Sequence, residues 1–191
     1  SGQLLQQLAR GAPVDVFASA DQQTMDKAQM QNLIVRDTRV NFVRNKLVVV
    51  VPANSKVEVK SLEGLGSADV QRVALANPES VPVGSYSKQA LEAAGLWDKL
   101  KDKTIGTTNV RQSLDYTARG EVDAGFVYVT DALIMPNRVK IAFEVPVSTE
   151  ILYPIAAVKG NGNENLARDF IAYLIGEPAQ RILQKYGFGK P

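Results

Sequence analysis

Short apolar runs alternate with segments of helical periodicity along the whole 191-residue chain, and this limits the possible folds more than any other feature. Ser1 stands where it can cap a helix whose Leu4, Leu5 and Leu8 form one apolar face and whose end is marked by Gly11 and Pro13. "VDVFAS" at 14–19 then reads as a strand. A helix-like stretch from Asp21 to about Met30 precedes "KLVVVVP" (46–52), a continuous apolar run of the kind buried on both faces of a sheet. The pattern then predicts a strand at 73–76, a helix at 87–94 stopped by Gly95, a strand at 104–108, a helix at 110–119 closed by Gly120, and a strand at 124–129. "VKIAFEV" and "LYPIAAV" follow, and two helices around 164–175 and 178–186 end the chain, divided by Gly176-Glu177-Pro178. This is the pattern of an α/β protein built on parallel strands. Gly64-Leu65-Gly66 lacks the third glycine of a dinucleotide fingerprint and reads as a loop.

Residues 73–97, "VALANPESVPVGSYSKQALEAAGLW", raise the first functional question. A buried strand passes through a loop with Pro78, Pro82 and Gly84 into a helix carrying Ala90, Leu91 and Ala94. The first N–H groups of a helix have no partner inside it and lie at the positive end of its dipole, so such a turn can hold an anion without a charged side chain. The simpler reading makes the prolines and Gly84 turn chemistry and Ser87 a helix cap.

Composition narrows the function. The chain is 45% hydrophobic, enough for a proper core in one large domain or two small lobes. Its longest strongly apolar run, Leu47 to Val51, is too short to cross a bilayer. The 22 basic and 20 acidic residues are well mixed, with no basic stripe interleaved with aromatics, so nucleic acid is not an expected partner. There is no cysteine and no histidine, which removes thiolate nucleophiles, Ser-His-Asp triads, imidazole bases and Cys/His metal cages. A mechanism using a carboxylate or lysine, such as Asp115 or Lys88, stays open. The lack of cysteine suits an exported protein without requiring export. "SGQLLQQLARGAP" shows no basic segment followed by an apolar one, and it opens at a helix cap with no strand before it; a leader and an upstream strand are expected to have been removed. A chain shortened in this way is expected to be poorly stable alone, since losing the first strand of a lobe exposes a sheet edge and deletes core.

Five segments, in order, carry a family resemblance: "GAPVDVFASAD" (11–21), "NKLVVVVP" (45–52), "NPESVPVGSYSKQALEAAGLWDKL" (77–100), "NVRQSLDYTARGEVDAGFVYVTDA" (109–132) and "YLIGEPAQRILQKYGF" (173–188). Together they resemble the periplasmic molybdate-binding proteins of bacterial ABC transporters, over essentially the whole chain. The resemblance implies a two-lobed α/β fold of the periplasmic-binding-protein type (type II) that closes over its ligand. One lobe would take residues 1–44 plus 150–191 and the other 45–149, with hinge crossings near Asn45–Leu47 and Thr149–Tyr153. In that family the mature protein begins with a strand and a helix carrying a further oxyanion-binding serine, a part this chain lacks.

The resemblance also implies the binding groups. Ser1 falls at a serine hydroxyl that donates to the oxyanion, Val83 and Val110 fall at backbone amide donors, and Tyr128 falls at a phenol donor. These positions lie at the carboxyl ends of strands or in the first turns of the helices that follow, where open α/β sheets place ligands. The chemistry is consistent: a dianion such as molybdate or tungstate presents only acceptors, so a pocket of neutral donors suits it. A lysine or arginine in contact would slow the release that a transport receptor needs. Sulfate would be discriminated by cavity size, and protonated phosphate by the lack of an acceptor. Each position also has a plainer role: Ser1 as a cap, Val110 in an apolar stripe with Leu114 and Ala118, Tyr128 as a buried phenol satisfied locally, Arg111 in a surface or lobe-bridging ion pair.

The resulting expectation is a monomeric periplasmic receptor that captures molybdate or tungstate, delivers it to an ABC permease, uses no cofactor or direct metal ligand, and catalyses nothing. The alternatives are a receptor for sulfate or another tetrahedral oxyanion, the ligand-sensing domain of a transcription regulator, and an enzyme on the same fold marked by a titratable group of shifted pKa in the cleft.

Overall fold

The computed structural model describes residues 1–191. Its strands are β1 (Val16–Ala18), β2 (Val40–Asn45), β3 (Leu47–Pro52), β4 (Val73–Ala76), β5 (Thr104–Thr107), β6 (Ala124–Tyr128), β7 (Val139–Glu144) and β8 (Ile151–Ala157). Its helices are α1 (Gly2–Ala9), α2 (Gln22–Met30), α3 (Pro82–Ala93), α4 (Trp97–Leu100), α5 (Val110–Ala118), α6 (Val129–Ala132), α7 (Glu164–Ile175) and α8 (Glu177–Lys185). Two units result, one of Ser1–Asn45 with Glu150–Pro191, the other of Lys46–Thr149.

In the first unit, β1, β8 and β2 form a three-stranded sheet in that order, with both pairings antiparallel. Leu5 and Leu8 of α1 join Phe17, Met25, Ala28, Ile34 and Ala156 in one core cluster, while Ala167 and Ile171 of α7 pack with Ile155 and Ala157 in another. Leu4, assigned to the apolar face of α1 by its spacing, is instead 55% exposed. Asp21 starts α2 by accepting the Thr24 N–H at 2.9 Å. The residues of β2, "VNFVRN", carry no sequence signal strong enough to mark a strand. They form one by pairing along β8 from Val40↔Ile155 to Asn45↔Ile151, through an irregularity between Asn41 and Val43.

The second unit holds a five-stranded sheet of order β5-β4-β6-β3-β7. Strand β4 is parallel to both β5 and β6, and β3 is antiparallel to both β6 and β7. The parallel arrangement suggested by the strand–helix alternation therefore holds for three strands only. The apolar run of β3 is buried on both faces, as its composition predicts: Leu47 through Val51 are at most 1% exposed. Its cause is its place between β6 and β7 rather than its direction: an inner strand covered on both faces needs apolar residues whichever way it runs.

Helix α3 starts at Pro82, five residues before the predicted position. Val81 is extended at the N-cap, and Pro82 fits the first turn because its fixed φ suits a helix and its missing N–H would have been unbonded there. Ser87 is therefore not a cap: it is fully buried within the helix and donates its hydroxyl to the Val83 carbonyl at 2.7 Å. Gly84 is more than turn chemistry, because a Cβ there would come within 2.0 Å of the Ala76 carbonyl oxygen. Only glycine lets the first turn of α3 press against the end of β4. Gly95 and Gly120 close α3 and α5 with φ of +66° and +69°, as the sequence predicts. The Gly64-Leu65-Gly66 stretch is a 3-10 turn that buries Leu65 completely rather than a plain loop.

Candidate functional site

Three of the four positions named from the sequence share one sheet edge in the second unit. Strands β5, β4 and β6 are neighbours and run in the same direction, so their carboxyl ends lie together. Beyond β4 the chain enters α3, beyond β5 it enters α5, and β6 passes directly into α6. Val83 thus lies in the first turn of α3, Val110 opens α5, and Tyr128 is the last residue of β6 and the N-cap of α6.

Donor accounting identifies which amides point outward. In α3, Pro82 has no N–H and Ser85 N–H donates to the Val81 carbonyl at 3.1 Å. The Val83 and Gly84 amides are then the ones that helix geometry leaves without an acceptor, and no side chain caps them. The tight loop behind them is held by Val81 N–H to the Asn77 carbonyl at 2.9 Å and by Asn77 N–H to the Thr107 carbonyl at 2.9 Å. In α5, Asn109 accepts the Gln112 N–H at 2.9 Å and Ser113 N–H bonds back to the Asn109 carbonyl, which leaves the Val110 and Arg111 amides. Both helices are long enough for their aligned dipoles to favour an anion at these ends. The Val83 side chain is buried and Val110 packs on a core of Val48, Val50 and Leu114, so each residue can serve in the core through its side chain and at the edge through its amide.

Tyr128 is 4% exposed, and its own N–H donates to the Asp131 carboxylate at 3.1 Å. Asp131 is itself buried, and burial pushes its carboxyl above the ordinary value of 3.8, opposed by the bond from Tyr128 and by the charge of Arg111. Asp131 is a residue that the sequence motifs did not bring forward. Its signal was there to read, a carboxylate three residues after the residue that ends β6, at the spacing of a residue that reaches back to an N-cap. Arg111, expected in an ion pair, forms none; it is exposed at the first turn of α5.

Ser1 belongs to the first unit. It occupies the N-cap of α1, but its hydroxyl does not cap that helix. The oxygen instead accepts the Ala20 N–H at 2.9 Å, tying the start of α1 to the turn between β1 and α2. Accepting one bond leaves the hydroxyl proton to donate elsewhere. The neighbouring turn is closed by Ser19, whose hydroxyl donates to Asp21 at 3.1 Å.

Of the two side chains that would serve an enzyme, Lys88 lies 5.5 Å from the centre of the Trp97 ring and within 4.0 Å of both Glu79 and Glu92, a surface cluster on the flank of α3. Asp115 is half-buried in the body of α5. Neither is at the edge where the helices begin. Asp131 is the shifted titratable group near that edge, and it faces the backbone of Tyr128.

Fold and site together define a class: an α/β protein that gathers helix-start amides at one end of a parallel set of strands. Comparison with known proteins makes this specific. Residues 1–189 match the family described as bacterial extracellular solute-binding protein. A putative ABC transporter substrate-binding lipoprotein of Bacillus subtilis is 40% identical over 98% of this chain and 72% of its own length. The molybdate-binding protein ModA of Escherichia coli is 37% identical over 98% of this chain and 75% of its own. Among solved structures, the periplasmic molybdate-binding protein of Azotobacter vinelandii superposes with a TM-score of 0.88 at 26% identity, covering 100% of this chain and 84% of that one. The chain belongs to the bacterial extracellular solute-binding protein family, and it has the periplasmic-binding-protein fold that its sequence led us to expect.

Proposed function

We propose that this protein is a periplasmic receptor for molybdate, and for tungstate, which it delivers to an ABC permease. The second unit supplies the Val83 and Val110 amides and the Tyr128 phenol, and the first unit supplies the Ser1 hydroxyl. The ligand is cargo and is released unchanged, so the protein catalyses nothing, and it works as a monomer. One observation carries this reading: three parallel strands end at one edge, and the helix starts that follow place the Val83 and Val110 amides there together with Tyr128. The relatives named as molybdate-binding proteins support the choice of ion.

The physical argument is that each N–H or O–H bond to a charged ligand is worth about 1.5–3 kcal/mol net, so four or five neutral donors suffice for tight capture. No lysine or arginine need touch the ion, which keeps release open. Calorimetric titration with molybdate, tungstate, sulfate and phosphate tests the assignment. The first two should bind tightly and the last two weakly. Tyr128→Phe should weaken molybdate binding by roughly 10- to 150-fold, the loss of one such bond, with little change in unfolding midpoint. Sulfate binding as tight as molybdate would overturn the ion assignment, and unchanged affinity in Tyr128→Phe would remove the phenol from the site.

A further inference from the structure

The Tyr128 amide lies where the sheet stops supplying acceptors. On one side of β6, Leu47 pairs with Tyr128 and the Val129 N–H reaches the Lys46 carbonyl at 3.0 Å. Neighbouring amides along a strand point to opposite sides, so the Tyr128 N–H faces the β4 side. There the pairing of β4 with β6 has already ended at Ala74↔Gly125, and β4 itself ends at Ala76. The acceptor at that point is the Asp131 carboxylate, at 3.1 Å.

We propose that Asp131 is the positioning residue of the Tyr128 donor: its carboxylate takes over the Tyr128 N–H where the strand ladder ends and so fixes the backbone from which the phenol is presented. The inference rests on the reading that Tyr128 binds the ligand. A carboxylate 9% exposed is costly to bury, and a fold whose ligand is itself an anion gains nothing electrostatically from one so close to its donors. Its retention is explained by what it holds. The end of β6 turns at once into α6, a helix of only four residues, so on the β4 side the Asp131 bond, beside the Val129 N–H bond to Lys46 on the other, holds the Tyr128 backbone at φ −87° and ψ 159°. The exposed Arg111 on α5 opposes the burial of the carboxylate less than the Tyr128 bond does.

A double-mutant cycle on the full chain, read by calorimetric titration with molybdate, tests this. Asp131→Leu removes the acceptor with a similarly branched but larger apolar side chain, and Asp131→Asn keeps the size and an acceptor oxygen without the charge. Asp131→Leu should weaken molybdate binding about tenfold, Asp131→Asn should stay within about threefold of the parent, and adding Asp131→Leu to Tyr128→Phe should cost nothing further. Additive losses in the double variant, with Tyr128→Phe alone weakening binding, would overturn the positioning role and leave the site intact. Affinity in Asp131→Asn as low as in Asp131→Leu would also overturn it. Unchanged affinity in Tyr128→Phe would overturn the site and this inference together. Should Asp131→Leu not fold, Asp131→Asn alone still decides, since a tenfold loss there excludes an acceptor role.

Discussion

The two units of the protein are both α/β, yet they place polar groups at strand ends very differently. The second unit sends three parallel strands to one edge and starts a helix after each, which leaves amides of α3 and α5 pointing outward. The first unit is an all-antiparallel sheet of three strands, and its turn from β1 to α2 has its groups taken internally: Asp21 accepts from Thr24 and Ser19, and Ser1 at the start of α1 accepts from Ala20. Parallel neighbours gather helix starts on one side of a sheet, whereas antiparallel neighbours send them to opposite sides. The donor-rich edge is therefore a product of strand direction in one unit.

Close backbone approach gives the largest expected contrast between the units. Gly84→Ala would drive a Cβ into the Ala76 carbonyl, which neither element can move away from, and should cost about 3 kcal/mol. Gly189 in the first unit is also crowded, but against the half-exposed side chain of Arg44, which can swing aside; Gly189→Ala should cost less than about 1 kcal/mol. Urea unfolding of both variants measures the difference, and equal losses would break the contrast.

Helix caps give a smaller effect. Asn109→Ala in the second unit loses the cap bond to Gln112 and an exposed bond to Thr108 and should cost about 1 kcal/mol, while the buried Asp21 in the first unit also satisfies Ser19, so Asp21→Ala should approach about 2 kcal/mol. Thermal midpoints of the two variants rank the caps, and a larger loss from Asn109→Ala would show that the edge of the second unit depends more on its cap than its bonds indicate.

The smallest effect is one of sign in acid. Burial raises the Asp131 carboxyl above 3.8, so its contribution to stability is full below that value and is lost as pH rises through its folded-state value. In the first unit, the Arg168 guanidinium beside Asp37 holds that carboxyl below 3.8. Its contribution is therefore present above 3.8 and is lost as pH falls through the lower folded-state value. Stability measured against pH should lose its decline just above 3.8 in Asp131→Asn and lose part of its acid decline in Asp37→Asn. The second change should be weak and reduced by salt, since the pair is exposed. A matching slope from both residues would contradict the opposite environments.

Much of this was legible in the residues alone. The apolar run of β3, the Asp21 and Asn109 positions before α2 and α5, and the glycines closing α3 and α5 each act within a few residues, so their meaning survives without the fold. Strand β2 was not legible, because "VNFVRN" becomes a strand only when β8, more than a hundred residues away, pairs with it. Ser87 looked like a cap because the proline at 82 looked like a turn; that proline is the first residue of α3.

The sequence by itself determined the kind and order of most elements, through periodicity and caps, and the chemistry open to the chain, since without histidine or cysteine the available polar groups are amides, hydroxyls, carboxylates, amines and guanidinium groups. Only the tertiary structure decided strand direction, and with it the meeting of Val83, Val110 and Tyr128 at one edge, the need for glycine at 84 and the hold of Asp131 on Tyr128. The reason is physical: periodicity reports which face of a segment is buried, whereas direction and register are set by partners far along the chain, whose pairing leaves no mark within the segment itself.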